Sequence, residues 1–150
     1  MYNVKLNYSL IFLCALILGA CSENNESLRK SIYALDANML STGNYVIIPN
    51  QGCEGCISHA EAFVKKNIAN SDSIRYIFTR IQSIKLLKIK LGNEIMSSRK
   101  MLLDTANTIE YPDKKNDIYP MIVTVHNHRI TNITYQSPDS NGLTELLSGK

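Results

Sequence analysis

The stretch NQGCEGC carries two thiols, Cys53 and Cys56, with two residues between them. Thiols at that spacing support three chemistries: a redox pair that opens and closes a short disulfide ring, two ligands of a soft metal, or a plain covalent staple. A staple across so short a loop stabilises little, because the chain entropy it removes grows with loop length. A metal needs further donors. His59 follows Cys56 by about one helical turn, and His126 and His128 lie far along the chain. Either of the latter, joined to the two cysteines, would make a soft copper or zinc site. A c-type haem is excluded, since Ile57 and not histidine follows the second cysteine.

The flanking residues place the pair at a joint between a strand and a helix. YVIIP, residues 45 to 49, is a continuous apolar run rich in β-branched side chains, which suits a strand buried on both faces. Behind the cysteines, Ile57, Ala60, Phe63, Val64 and Ile68 recur at helical spacing, with Glu61, Lys65 and Lys66 assigned to the solvent side. Residues 74 to 80 read as a second strand. Residues 83 to 92 read as a helix, with Ile84, Leu87 and Leu91 inward, lysines in solvent and Gly92 as the stop. Upstream, Leu28, Ile32, Leu35, Met39 and Leu40 suit a short amphipathic helix over 27 to 40. KMLLDT is a short strand or a helix end, and IEYPDKKND is an exposed loop. Residues 121 to 125 and 130 to 135 alternate on either side of the polar joint HNHR, which predicts a β-hairpin. A last short helix is expected from about Asn141. Two strands joined by a helix form a βαβ unit with parallel pairing and a right-handed crossover, and the hairpin adds antiparallel strands. The fold class is therefore α/β, a three-layer sandwich with a mixed central sheet and helices on both faces.

The first twenty residues read as a leader. MYNVKLNY carries one cation, and SLIFLCALILGA is an apolar run too short to span a bilayer comfortably. Leu18-Gly19-Ala20-Cys21 resembles the lipobox of bacterial lipoproteins. The resemblance implies removal of residues 1–20, acylation of Cys21 and a place in the cell envelope facing the periplasm, more in keeping with the outer membrane than the inner. Residues 21–27 then form a polar tether and residues 28–150 the folded domain. Cys14 leaves with the leader and Cys21 carries lipid, so Cys53 and Cys56 remain as the thiols of the mature domain, in a compartment where disulfides persist. The formal charge of +3 falls to +2 with the loss of Lys5, which gives no case for nucleic acid as a partner. About 130 residues suffice for one domain with a hydrophobic core.

The order of these elements, with NQGCEGC at the end of the first core strand and Pro120 just ahead of the strand MIVTV, resembles the thioredoxin-like family. The resemblance spans about 27 to 148 as topology and a handful of residues as motif. It implies a thiol-disulfide oxidoreductase acting on protein thiols or disulfides, with no organic cofactor. Cys53 would be the nucleophile, since a thiolate at a helix start is stabilised by free N–H groups and a partial positive charge. Cys56 would resolve the mixed disulfide. Pro120 in cis would bend the chain beside the pair and free the backbone of Tyr119 to bind a substrate strand. The residues between the cysteines depart from thioredoxin, which has Gly-Pro where this chain has Glu54-Gly55, and no tryptophan precedes the pair. The charge of Glu54 opposes thiolate formation and biases the pair towards reductase or isomerase work. Two alternatives stay open: a metal chaperone using the cysteines and a histidine, and a lipoprotein that keeps the fold for partner binding without turnover.

Overall fold

The computed structural model describes residues 23–148. The chain runs α1 (Glu23–Leu35), β1 (Thr42–Pro49), α2 (Glu54–Asn67), β2 (Ile74–Thr79), α3 (Ile84–Leu91), α4 (Asn93–Met96), β3 (Met101–Leu103), β4 (Met121–His126), β5 (Arg129–Ser137), β6 (Ser140–Asn141) and α5 (Gly142–Ser148). The six strands form one mixed sheet in the order β3-β2-β1-β4-β5-β6. β1 pairs parallel with β2, and β2 parallel with β3. β4 pairs antiparallel with β1 and with β5.

The side-chain period of two sends alternate residues of β1 to opposite faces. Val46 and Ile48 join Tyr76, Phe78 and Ile122 on one face, beneath Ile57, Ala60 and Val64 of α2, Leu87 and Leu91 of α3 and Leu143 of α5. Tyr45 and Ile47 join Ile77, Met121, Val123 and Val125 on the other, beneath Leu28 and Ile32 of α1 and Ile109 and Tyr111 of the long connection into β4. β1 is thus sealed on both faces, as its unbroken apolar run required. Each fully buried Val, Ile or Leu side chain contributes about 1.5–3 kcal/mol, so the central strands carry most of the hydrophobic stabilisation.

Several elements differ from the sequence reading, each for a local reason. α1 begins at Glu23, inside the stretch read as a tether, and Glu26 pairs with Arg29 at 2.6 Å while Ser27 donates to Glu110. The leader and Cys21 lie outside the described residues. Ile84, expected inward, stands 47% exposed, because α3 seats itself on Leu87 and Leu91. KMLLDT becomes the edge strand β3, and the short α4 precedes it. The hairpin turns through Asn127 and His128 at φ 51° and 59°. Left-handed backbone at both turn residues matches the twist of the flanking strands and favours Asn at the first of them.

The connection from β3 to β4 is fixed by Asp104, which is fully buried. Its carboxylate accepts from Thr79 Oγ1 at 2.8 Å, Thr108 N–H at 2.8 Å, Thr108 Oγ1 at 3.0 Å and Ile109 N–H at 2.9 Å. Burial raises its pKa, but these four donors outweigh burial and hold it below the usual carboxylate value. The folded carboxyl is therefore more acidic than the unfolded one. Its stabilisation is complete above the unfolded value near 4 and is lost as pH falls through the folded value. Asp104→Ala should cost roughly 3–5 kcal/mol in urea denaturation at neutral pH, because it strands buried donors. The cost should shrink when the same pair of proteins is compared at successively lower pH below about 4. An unchanged difference would show that the carboxylate charge is not what the donors hold.

Candidate functional site

β1 ends at Pro49, and α2 starts at Glu54. In this short joint the chain must reverse, and Gly52 takes φ 145°, where an L side chain is strained. Space enforces the same choice, since a Cβ on Gly52 would lie 2.3 Å from the carbonyl oxygen of Ile118. That close approach lets the Cys53 N–H donate to the Ile118 carbonyl at 3.1 Å. The residue ahead of α2 is thereby tied to the segment that leads into β4.

Cys53 is the N-cap of α2, in extended conformation, and its sulfur accepts from the Cys56 N–H at 3.4 Å. The two sulfurs are joined as a disulfide with the Cα atoms 5.3 Å apart. The two cysteines differ in exposure. Cys53 is half-buried, whereas Cys56 is buried against the core with Ile57 and Ala60. Glu54, exposed in the first turn, is an acid where the helix end carries partial positive charge. A cavity of about 500 Å³ opens beside the pair, lined by Asn50, Gln51, Gly52, Glu54, Ile57 and Lys90 among others.

Pro120 stands at the same end of the sheet as the cysteines, but without the expected bend. No peptide bond among the described residues is cis, so Tyr119–Pro120 is trans. Pro120 is buried, and its carbonyl accepts from the Gln136 N–H at 2.9 Å, which extends the ladder between β4 and β5. A trans bond is the lower-energy isomer by about 0.5–1 kcal/mol, and the neighbouring hydrogen bonds are made without the bend. Tyr119 does not offer a free backbone either. Its N–H donates to Asn116 O at 3.1 Å, and its carbonyl accepts from the Tyr111 hydroxyl at 3.3 Å. Burial pushes the Tyr111 hydroxyl up, against the opposing charge of Arg80, so it stays a donor. Ile118, whose carbonyl accepts from the Cys53 N–H, is itself 42% exposed.

This segment is clamped from β2. Arg80 follows Thr79 at φ 54° and donates to the Asp117 carboxylate and the Asp117 carbonyl, both at 2.9 Å. Its guanidinium lies over the Tyr111 ring, 5.3 Å from the centroid. Neither Arg80 nor Asp117 stands out in the sequence, because nothing local marks a pair 37 residues apart.

The histidines do not gather around the thiols. His126 pairs with Thr42 at the start of β1, and the cysteines follow its end, about 23 Å of strand away. His128 lies in the hairpin turn, where its N–H donates to Ser41 O at 2.9 Å. His59 is exposed on α2, facing Leu143, Thr144 and Leu147. The soft-metal arrangement of Cys53, Cys56 and His126 or His128 is therefore not formed. No group of three or more metal-ligating side chains is found among the described residues.

Glu61 also departs from its solvent-facing assignment. It is 4% exposed, and Oε2 receives Lys90 Nζ at 2.7 Å while the buried Oε1 has no partner among the described residues. The spacing of Ile57, Glu61, Val64 and Ile68 places all four on one side of α2, and that spacing is the signal for its burial. Lys90 spans from this acid to the cavity beside Cys53.

Neither a protein-family model nor a curated protein nor a solved structure matches this chain.

Gly52→Ala should lower stability by about 2–4 kcal/mol in chemical denaturation, since both the backbone angle and the Ile118 contact oppose a methyl group. A change within about 0.5 kcal/mol would show that the joint is not held against Ile118.

Proposed function

We propose that this chain is a thiol-disulfide oxidoreductase of thioredoxin-like fold, held by lipid at Cys21 in the bacterial cell envelope and acting on protein thiols or disulfides. One observation carries the reading: a half-exposed Cys53 caps α2 while Cys56, bonded to it, is buried behind. The element order supports it. A βαβ unit with the pair at the end of its first strand, then a hairpin opened by Pro120 and a final helix, follows the family arrangement. The trans Tyr119–Pro120 bond departs from it, and Ile118 together with the adjoining cavity becomes the surface that a substrate protein meets.

In the reducing direction, the Cys53 thiolate attacks one sulfur of a substrate disulfide. That bond breaks, and the departing substrate sulfur takes a proton. The Cys56 thiol then loses its proton and attacks the Cys53 sulfur, which expels the second substrate thiol. Two electrons and two protons pass to the substrate, and the Cys53–Cys56 disulfide is left behind. An external dithiol restores the pair. The oxidising direction runs the same steps backwards. Free N–H groups at the start of α2 stabilise a thiolate at Cys53, and the nearby Glu54 charge opposes them, which favours reductase or isomerase work.

Cys56→Ala should trap substrate proteins as mixed disulfides on Cys53, seen on non-reducing gels and released by dithiothreitol, whereas Cys53→Ala should trap none. Both variants should fail to accelerate insulin reduction. Equal trapping by both, or full activity in either, would contradict these roles. The rate of Cys53 alkylation in the reduced protein should titrate well above pH 5, and a midpoint below about 5 would refute the reductive bias.

A further inference from the structure

Six large apolar side chains are exposed among the described residues, and three of them, Ile84 at 47%, Leu86 at 65% and Ile89 at 71%, stand on the eight-residue helix α3. The sequence of that helix, IKLLKIKL, also carries Lys85, Lys88 and Lys90 and no acid. Leu87 and Leu91 satisfy its contact with the core. Leu86 and Ile89 therefore belong to a second apolar stripe, turned away from the protein and set among cations. We propose that the outer side of α3 docks on an anionic lipid surface.

Two features favour lipid over a protein partner. The side chains form a ridge on the exposed side of α3. The adjoining cavity is walled by Gln82 and Lys90 and by none of these three. A ridge sinks into a deformable interface, whereas a folded partner would need a groove made to fit it. The charge also matches. Lys85 and Lys88 are exposed, and a helix with apolar side chains among lysines lies in the headgroup region of anionic membranes. Lys90 is committed to Glu61 and contributes less.

The placement has a consequence for the redox site. Ser83 caps α3, and the Gln82 N–H donates to Asn50 Oδ1 at 3.3 Å, so the helix starts beside the β1–α2 joint. Docking through α3 would hold Cys53 near the membrane plane, towards substrates at that surface. The docking itself does not depend on the redox reading and is tested without it.

The chain has no tryptophan, so Leu86→Trp in the full chain places one indole reporter on the ridge. Tyr33→Trp places one on α1, across the sheet, at a residue 57% exposed. Phosphatidylcholine vesicles with phosphatidylglycerol should shift the emission of the Leu86→Trp protein to the blue and allow its quenching by brominated acyl chains. Vesicles of phosphatidylcholine alone should do neither, even when the amino-terminal segment binds them. The emission of the Tyr33→Trp protein should stay unshifted in both. Lys85→Glu with Lys88→Glu, in the Leu86→Trp background, should weaken the response to anionic vesicles at least about tenfold. Ile89→Trp repeats the test if Leu86→Trp fails to fold. An unshifted reporter on the ridge, an equal shift of the reporter on α1, or a response to an unfolded polypeptide but not to vesicles would overturn the proposal.

Discussion

A single backbone hydrogen bond, from Cys53 N–H to the Ile118 carbonyl, ties the cysteine joint to the segment entering β4, beyond the end of the β1–β4 ladder. On one side is the βαβ half, whose β1 delivers Cys53 to the start of α2. On the other is the antiparallel half, entered through Ile118, Tyr119 and Pro120. The bond forms because Gly52 lets the two backbones approach closer than any side chain would allow. The partner carbonyl is in turn held by residues that never touch a sulfur. Arg80 grips Asp117 and covers Tyr111, and Asp104 fixes the start of the same connection. The position of the half-exposed thiol is thus set by backbone contact and buried polar anchors, with the hydrophobic core supplying the frame.

Much of that frame was legible in the sequence, since it depends on local pattern. The unbroken apolar run of β1 announces a strand covered on both faces, and alternation on either side of HNHR announces the hairpin. The cysteines fall at a strand-to-helix joint by simple order. The rest depends on contacts between distant residues. Glu61 looks like a surface acid until Lys90 of α3 reaches it across the fold. Ile84 has the right spacing to be inward, but Leu87 and Leu91 already fill the space over the sheet. Asp104 is one acid in an unremarkable segment, and only the fold gives it four donors, three from the turn that follows and one from Thr79 at the end of β2.

The sheet also decides what the sequence leaves open around the thiols. His126 and His128 are within reach of Cys53 and Cys56 in principle, because sequence separation says nothing about distance in a fold. The strand register places them at the opposite end of β1, and the soft-metal arrangement goes with them. Pro120 shows the reverse case. It does lie at the end of the sheet that carries the cysteines, yet a neighbouring ladder bond and a tyrosine hydroxyl occupy the backbone around it. In place of the bend expected there, Ile118 is exposed and the cavity lined by Gly52 and Glu54 opens at the same joint.

The central claim is that the bond between Cys53 and Cys56 is made and broken in use. Its reduction potential, obtained by equilibrating the full chain in thiol-disulfide buffers and counting alkylated thiols by mass, tests this directly. The expected result is a reversible two-electron couple in the range of working oxidoreductases, between about −270 and −120 mV, and towards its reducing end. A potential below about −300 mV, where structural disulfides resist reduction, would contradict it.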